Sequence, residues 1–552
     1  MSRQLAQGWQ IDAVARERFG FDGLRPEQEE PIRAVLEGRD TLVVMPTGSG
    51  KSAIYQIVAC LIDGPTVVVS PLIALQRDQV DRLDERDVGE AAELNSKITT
   101  RERRDVLAEV ADGNLEFVFL APEQFANEET RAHLRNATPN LFVVDEAHCI
   151  SEWGHDFRPD YLRLGAVIDE LGQPTVLALT ATAAPPARDE ICQRLGLRDP
   201  LVIVRGFDRP NIRLSVDTFD EDEKREHLLA SAVAAAKPGI VYAATRRHTE
   251  EIAAQLRERG VSAVAYHAGM KTAERDAAQT SFMTGEADII VATTAFGMGI
   301  DKRDVRFVFH HDISDSIDAY YQEIGRAGRD GQPAEAVLFY HPNDLNLRRF
   351  FSGGSPLDQE AVESVAALVS DHRGPVAPDT LANATNLSAR KLTCALTRLE
   401  EVGAVDILPS GEIVADESVD APPPCDAAEE AVEAQRHRQQ FANSRLEMMR
   451  GYAEARDCRR ELLICYFGEP FNSPCGNCDN CERGRTVDQD LSRMPFPLRS
   501  HVIHAKWGNG QVMRYEGEKI VVLFETVGYR TLALDVVLEN DLLSLAASSD
   551  AA

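Results

Sequence analysis

The 552-residue sequence predicts a multidomain α/β protein, with two parallel-sheet domains followed by smaller modules. Three observations carry this. Short β-branched runs recur between Thr41 and Tyr340 with helical stretches between them. From Asp358 the pattern turns to helices and then to short, Gly-punctuated strands. The length suits about three to five domains of roughly 100–200 residues each, and a 44% hydrophobic content can give each a core.

The runs in order are TLVVM, TVVVS, EFVFL, LFVVD and TVLALT, then GIVYA, VSAVAY, DIIVA, RFVFH and AVLFY. Continuous apolar strands alternating with amphipathic helices indicate parallel sheets covered on both faces. Ten such strands are too many for one compact domain, and the acidic stretch Asp217–Glu226 separates the two sets. The join is placed near Val204–Arg213, with domains over 1–205 and 206–350. Over 355–420, a helical run, a short helix, the helix SARKLTCALTRLEEVG and the ribbon VDILPSGEIVAD make a winged-helix pattern. Contact with DNA and packing against a neighbour both fit that pattern. Residues 399–435 hold eleven acids and no Lys or Arg, with Ala-Pro-Pro-Pro at 421–424. Composition makes 421–435 an expected solvated acidic linker. A helical segment then leads into a cysteine cluster within 436–485, and 497–545 reads as short strands with Gly turns, the pattern of a small β-barrel.

Charge narrows the function. With Lys+Arg 59 against Asp+Glu 89, the net charge is −30. Broad electrostatic coating of duplex DNA needs a basic surface and is excluded, whereas a narrow channel that grips one strand is not. The acidity is uneven: 399–435 contributes −11, while 436–485 has nine Arg against seven acids. No apolar stretch of about 18 residues exists to span a membrane, and MSRQLAQGWQIDAVARERFGF lacks an apolar signal core. The expectation is a cytoplasmic protein whose ten cysteines are reduced.

The chemistry starts where TLVVM runs into Pro46-Thr47-Gly48-Ser49-Gly50-Lys51-Ser52 and a helix. A Gly-rich turn between strand and helix exposes N–H groups to phosphate, and the helix dipole adds attraction. Lys51 can reach the β/γ-phosphates and the Ser52 hydroxyl can bind Mg²⁺. Met45 stands where the full pattern has Gly. LFVVDEAH supplies Asp145 at a strand end, suited to Mg²⁺, and Glu146, suited to orienting or deprotonating water. Gln322-Glu323-Ile324-Gly325-Arg326-Ala327-Gly328-Arg329 carries two arginines three apart. An Arg reaching a γ-phosphate from another domain is worth ~10³–10⁵ in rate. Trp153, His155, Phe157 and Arg158 follow the acid pair in a Gly/Pro-containing loop, where aromatic faces can stack on bases. Cys458-x16-Cys475-x2-Cys478-x2-Cys481 suits a closed tetrahedral Zn²⁺ site, with an iron–sulfur cluster as the metal alternative.

These motifs resemble the RecQ-type helicases of helicase superfamily 2. The resemblance covers residues 19–345 through FGFDGLRPEQEEPI, MPTGSGKS, SPLIALQRDQV, LAPEQF, VVDEAHCISEWGHDFRPDY, LALTATA, IVYAATRRHTEEIA, YHAGM, VATTAFGMGIDKRDVRFVFHHD and YYQEIGRAGRDG. It implies two RecA-like P-loop NTPase domains that close on Mg·ATP and move 3′→5′ along DNA during repair or recombination. It implies adenine contact for Arg25 and Gln28, coupling of hydrolysis to domain movement for Thr180 and Thr182, triphosphate contact for Arg326 and Arg329, a single-stranded DNA sensor at 153–158, and zinc at the four cysteines. Two departures stand out. The winged-helix-like piece precedes the cysteines, whereas the family order places it after them. Residues 501–545 resemble the Tudor-like C-terminal barrel of UvrD-type helicases, which implies docking to a protein such as RNA polymerase; packing or DNA contact fits equally. Competing readings are a single-stranded-DNA-dependent translocase that unwinds poorly, a non-catalytic DNA-binding scaffold, and an RNA substrate.

Overall fold

The structure is a computed structural model that describes residues 8–71, 73–85, 88–95, 98–151, 158–297, 302–352, 357–372, 374–408, 412–416, 422–484, 494–524 and 526–546. Seven strands form the first sheet: β1 (Thr41–Val44), β2 (Thr66–Val69), β3 (Ala91–Leu94), β4 (Phe117–Leu120), β5 (Leu141–Val144), β6 (Thr175–Thr180) and β7 (Leu201–Val204). Their order is β3-β4-β2-β5-β6-β1-β7, all parallel. Six more form the second: β8 (Ile212–Thr218), β9 (Gly239–Tyr242), β10 (Ala263–Tyr266), β11 (Ile289–Ala292), β12 (Phe307–His310) and β13 (Ala334–Tyr340). Their order is β10-β11-β9-β12-β13-β8, again parallel.

All ten apolar runs are strands. All but the edge strand β10 are buried on both faces, and a fully buried Val, Leu, Ile or Phe side chain stabilises by about 1.5–3 kcal/mol. Leu42 and Val44 enter one core, while Val43 and Met45 enter another on the opposite face of the sheet. That placement accounts for the missing Gly at 45, since the Met45 side chain fills core space rather than the loop.

The strands not foreseen are β3, β7 and β8. β3 and β7 are edge strands that stay partly exposed; β3 (AAEL) is broken by a glutamate, whereas β7 (LVIV) is a short apolar run at the join. β8 (IRLSVDT) mixes polar and apolar residues and forms the edge beside β13.

Helices Gln359–Asp371, Pro378–Thr385 and Ala389–Glu401 are followed by the antiparallel pair β14 (Val405–Ile407) and β15 (Ile413–Ala415). The expected linker at 421–435 is corrected. A 31-residue helix, Pro424–Glu454, begins there with proline in its first turn. Ala427, Ala428, Ala431 and Val432 are buried against Val362, Val365, Leu396 and Leu399. Those four positions recur at helical spacing on one face, and Glu429, Glu430 and Glu433 are exposed on the other. The acids therefore mark the solvent face of a packed helix.

The C-terminal sheet has β16 (His501–His504), β17 (Gly508–Glu516), β18 (Lys519–Phe524), β19 (Gly528–Ala533) and β20 (Leu543–Leu545), all antiparallel in the order β19-β18-β17-β16-β20. β18 is buried on both faces. Ile520, Val522 and Phe524 line the sheet's own core. Val521 and Leu523 join Leu446, Met449 and Tyr466 in the large core that also holds residues of both parallel sheets.

Candidate active site

At the C-terminal end of β1 the chain turns through the phosphate-type loop into the helix Lys51–Ala59. Gly48 and Gly50 take φ of +80° and +82°, which side chains other than glycine rarely tolerate. The left-handed Gly50 caps the helix and leaves its first N–H groups facing outward. The Lys51 ammonium donates to Met45 O at 2.9 Å and Pro46 O at 3.2 Å. Burial pushes its pKa down, against the opposing charges of Glu146 and Asp145; Arg329 adds to the lowering. Thr47 and Ser52 flank the loop, both half-buried.

Arg25 and Gln28 brace the loop from behind. Gln28 Nε2 donates to Ser49 O and Gly50 O, each at 3.3 Å, and the Arg25 guanidinium donates to Ser49 O. A Cβ on Gly50 would lie 2.5 Å from Gln28 Nε2.

Asp145 follows β5, and its N–H donates to Val69 O at 2.8 Å. Burial and the neighbouring Glu146 raise its carboxyl to about 7, with Lys51 pulling the other way. Glu146 has a left-handed backbone, φ +50°, and its N–H donates to Asp145 Oδ1 at 3.0 Å. His148, whose role the sequence reading did not assign, connects the acid pair to β6. Its Nδ1 is 3.3 Å from Glu146 Oε2 and 2.9 Å from Thr180 Oγ1. Thr182 N–H donates to Thr180 Oγ1 at 3.3 Å. The signal for His148 was the fourth letter of DEAH.

The second domain presents its arginines after the helix Ile317–Ile324. Arg329 is set against the loop: a Cβ on Gly48 would touch Arg329 Cδ at 3.5 Å. Arg326 is buried. It lies near Tyr242 and Gly297 and lines a cavity of about 220 Å³ with Ser316, Arg348 and Arg445. Both arginines bear on the Tyr242 hydroxyl, Arg326 the more strongly.

Two residues missed in the sequence hold this turn. Arg209 donates to Gly325 O at 3.3 Å, Ala327 O at 3.0 Å and Gly328 O at 3.2 Å, and Asn211 donates to Gly328 O at 2.8 Å. Both belong to the join, which also touches the loop: a Cβ on Gly206 would meet Pro46 Cδ at 3.6 Å. Phe207 stacks on Phe467 at 4.4 Å, and its N–H donates to Glu469 at 3.0 Å.

The four cysteines converge, with one Sγ from each within 4.8 Å of the others. Cys475 and Cys481 Sγ are 3.8 Å apart. Tetrahedral Zn–S bonds of about 2.3 Å give sulfur–sulfur edges of about 3.8 Å, so the donor set fits Zn²⁺ with no open position. Among the other cysteines, Cys465 lies outside this group in the apolar helix Arg459–Tyr466. Trp153, His155 and Phe157 lie outside the described residues. Arg158 is described, and its guanidinium donates to Pro71 O at 2.9 Å.

Two parallel-sheet domains, one bearing a phosphate-type loop and acid pair and the other an arginine facing that loop, define a two-domain P-loop motor of helicase type. Residues 25–191 match the DEAD/DEAH box helicase family, 223–331 the helicase conserved C-terminal domain and 423–482 the RecQ zinc-binding family. The chain belongs to the RecQ family of ATP-dependent DNA helicases. It is 33% identical over 499 residues to the ATP-dependent DNA helicase RecQ of Bacillus subtilis, covering 90% of this chain and 70% of that one. It is 37% identical over 471 residues to RecQ of Haemophilus influenzae, covering 85% of this chain and 63% of that protein, and 36% identical to that of Pasteurella multocida, covering 84% and 61%. The chain thus spans under two thirds of the length of these last two relatives. The fold is also shared with the DUF1998 helicase MrfA bound to DNA and AMPPNP, at TM-score 0.51 and 19% identity over 75% of this chain and 62% of that one.

Proposed function

We propose that this chain is an ATP-dependent DNA helicase that translocates 3′→5′ and opens duplex DNA during repair or recombination. The observation that carries the reading is the convergence of Lys51, Asp145 and Glu146 of one domain with Arg329 of the other around Gly48–Gly50. Loop N–H groups from Thr47 to Ser52 cradle the phosphates, and Lys51 leaves its two carbonyl acceptors to reach them. Mg²⁺, when bound, neutralises charge developing on the phosphates, and Ser52 and Asp145 would hold it. Glu146, oriented by His148, accepts a proton from the attacking water. Arg326 and Arg329 stabilise the leaving charge. Arg25 and Gln28 bound the adenine side while bracing the loop. The Glu146–His148–Thr180–Thr182 chain couples the acid pair to domain movement. The DNA strand stacks on Trp153, His155 and Phe157, next to Arg158.

The same reading takes 355–420 as a winged-helix-like module, supported by its three helices and β14–β15 pair. It takes the C-terminal sheet as an SH3/Tudor-type unit for a protein partner such as RNA polymerase, supported by exposed Ile503, Val536, Leu538 and Leu545. No helix among the described residues is long and apolar enough to cross a membrane. The reading places the protein in the cytoplasm, on the nucleoid if the source is bacterial.

A forked duplex with a 3′ tail tests the reading. Strand release that requires ATP and is lost in Lys51→Ala supports it. Robust DNA-stimulated hydrolysis without release supports the translocase instead, a reading favoured by the three-helix module lying ahead of the cysteines.

A further inference from the structure

The carboxyl ends of β9 and β12, neighbours in the second sheet, carry a cluster that the nucleotide site does not use. Open parallel sheets place ligand sites outside the carboxyl ends of their strands. His311 and Asp312 directly follow β12, and His248 lies in the first turn of the helix Arg246–Glu258, which follows β9. One ligand atom from each of the three residues lies within 4.8 Å of the others.

The spacing suits a metal. His311 Nδ1 is 3.1 Å and His248 Nδ1 is 3.6 Å from the same carboxylate oxygen, Asp312 Oδ2. Donors about 2.0–2.1 Å from a tetrahedral Zn²⁺ lie about 3.3–3.4 Å apart, between those two values. Both ring nitrogens are buried and turned toward the Asp312 carboxylate, which, against its burial, they hold well below the ordinary carboxyl range. The donors are also held in place. Asp312 Oδ2 accepts the Ala244 N–H at 2.7 Å, Thr245 Oγ1 accepts the His248 N–H at 3.1 Å, and the two imidazoles meet edge to face at 5.1 Å. Such supporting contacts preorient metal ligands.

Charge and access agree. Lys224 Nζ is 3.9 Å from Asp312 Oδ1 but is held by Asp344 at 2.6 Å. That pair is neutral, so Asp312 leaves one net negative charge for a cation. His248 is 29% exposed at its side chain, against 7% and 4% for His311 and Asp312, so an ion can enter from the His248 side.

We propose that His248, His311 and Asp312 form a second metal site, for Zn²⁺ or another divalent transition ion, open at its fourth position. Imidazole with carboxylate suits this class of ion, whereas Mg²⁺ and Ca²⁺ prefer oxygen donors. An ion there would tie the segment after β9 to the end of β12.

Metal content decides it. The full-length chain is stripped with chelator, reloaded with Co²⁺, desalted and analysed for bound metal and absorption. The expected result is two ions per chain, one of them giving the thiolate charge-transfer band of the cysteine cluster. His248→Asn and, separately, His311→Phe should each reduce the content to one ion per chain and keep that band in full. The exposed His248→Asn variant keeps the test valid if His311→Phe does not fold. One ion per wild-type chain, or two in His248→Asn, overturns the proposal.

Discussion

The phosphate loop is held by its own domain, whereas the arginine turn facing it is held by the join between domains. On the loop side, Arg25, Gln28 and Lys51 all bond to backbone carbonyls of residues 45–50, within a short stretch of chain. On the turn side, Arg209 and Asn211 reach carbonyls of 325–328, more than a hundred residues away. The join that supplies them also packs on Phe467 and Glu469, beside the cysteine cluster. One half of the site is therefore preformed, while the other takes its position from a segment shared by three parts of the molecule. A motor whose cleft opens and closes needs that asymmetry, with rigid phosphate binding on one side and a displaceable charge on the other.

Four substitutions or conditions probe the contrast. Arg329→Ala should cost most, lowering DNA-stimulated hydrolysis by ~10³-fold or more while nucleotide affinity stays within a few-fold. Single-turnover hydrolysis alongside nucleotide titration would show the split, and an equal loss in both would place Arg329 in ground-state binding. Lys51→Ala should reduce kcat by about 10²–10³-fold, the usual cost of losing one preorganised donor, and should also weaken nucleotide binding because the loop side is the binding half. Arg209→Ala should act through the turn. Loss of three carbonyl bonds lets Arg329 drift, and a misplacement of about 1 Å costs up to about 10²-fold. Unchanged nucleotide affinity with reduced kcat is the expected signature, and wild-type kcat would remove the join from the account.

The smallest effect concerns pH. Asp145 is raised from the ordinary carboxyl range to about 7, so the folded protein takes up a proton there that an unfolded chain would not. Its contribution to stability is thus greatest in acid and is lost as pH rises through about 7. Its capacity for Mg²⁺ runs the other way. The Mg²⁺ concentration for half-maximal hydrolysis should rise as pH falls from 8 to 6, by about tenfold per unit below 7. A flat Mg²⁺ requirement would show that Asp145 does not titrate in that range.

What the sequence revealed divides along the same line. The loop was legible because strand, glycines, lysine and helix are contiguous, and Asp145 and Glu146 because a carboxylate pair at a buried strand end has few uses. The cysteines were legible from spacing. Arg209 and Asn211 were not, since bonds to distant carbonyls leave no local pattern. The acidic stretch at 421–435 misled because charge summed over a window ignores helical period. Ala427, Ala428, Ala431 and Val432 already spelled a buried stripe.

The most direct test of the central claim, that the two domains form one ATP-driven DNA motor, is unwinding of a forked duplex with a 3′ tail by wild-type, Lys51→Ala and Arg329→Ala proteins at matched DNA occupancy. The account predicts ATP-dependent strand release by wild type alone, with both variants bound to the fork but inactive. Equal release by wild type and Arg329→Ala, or release without ATP, would contradict it.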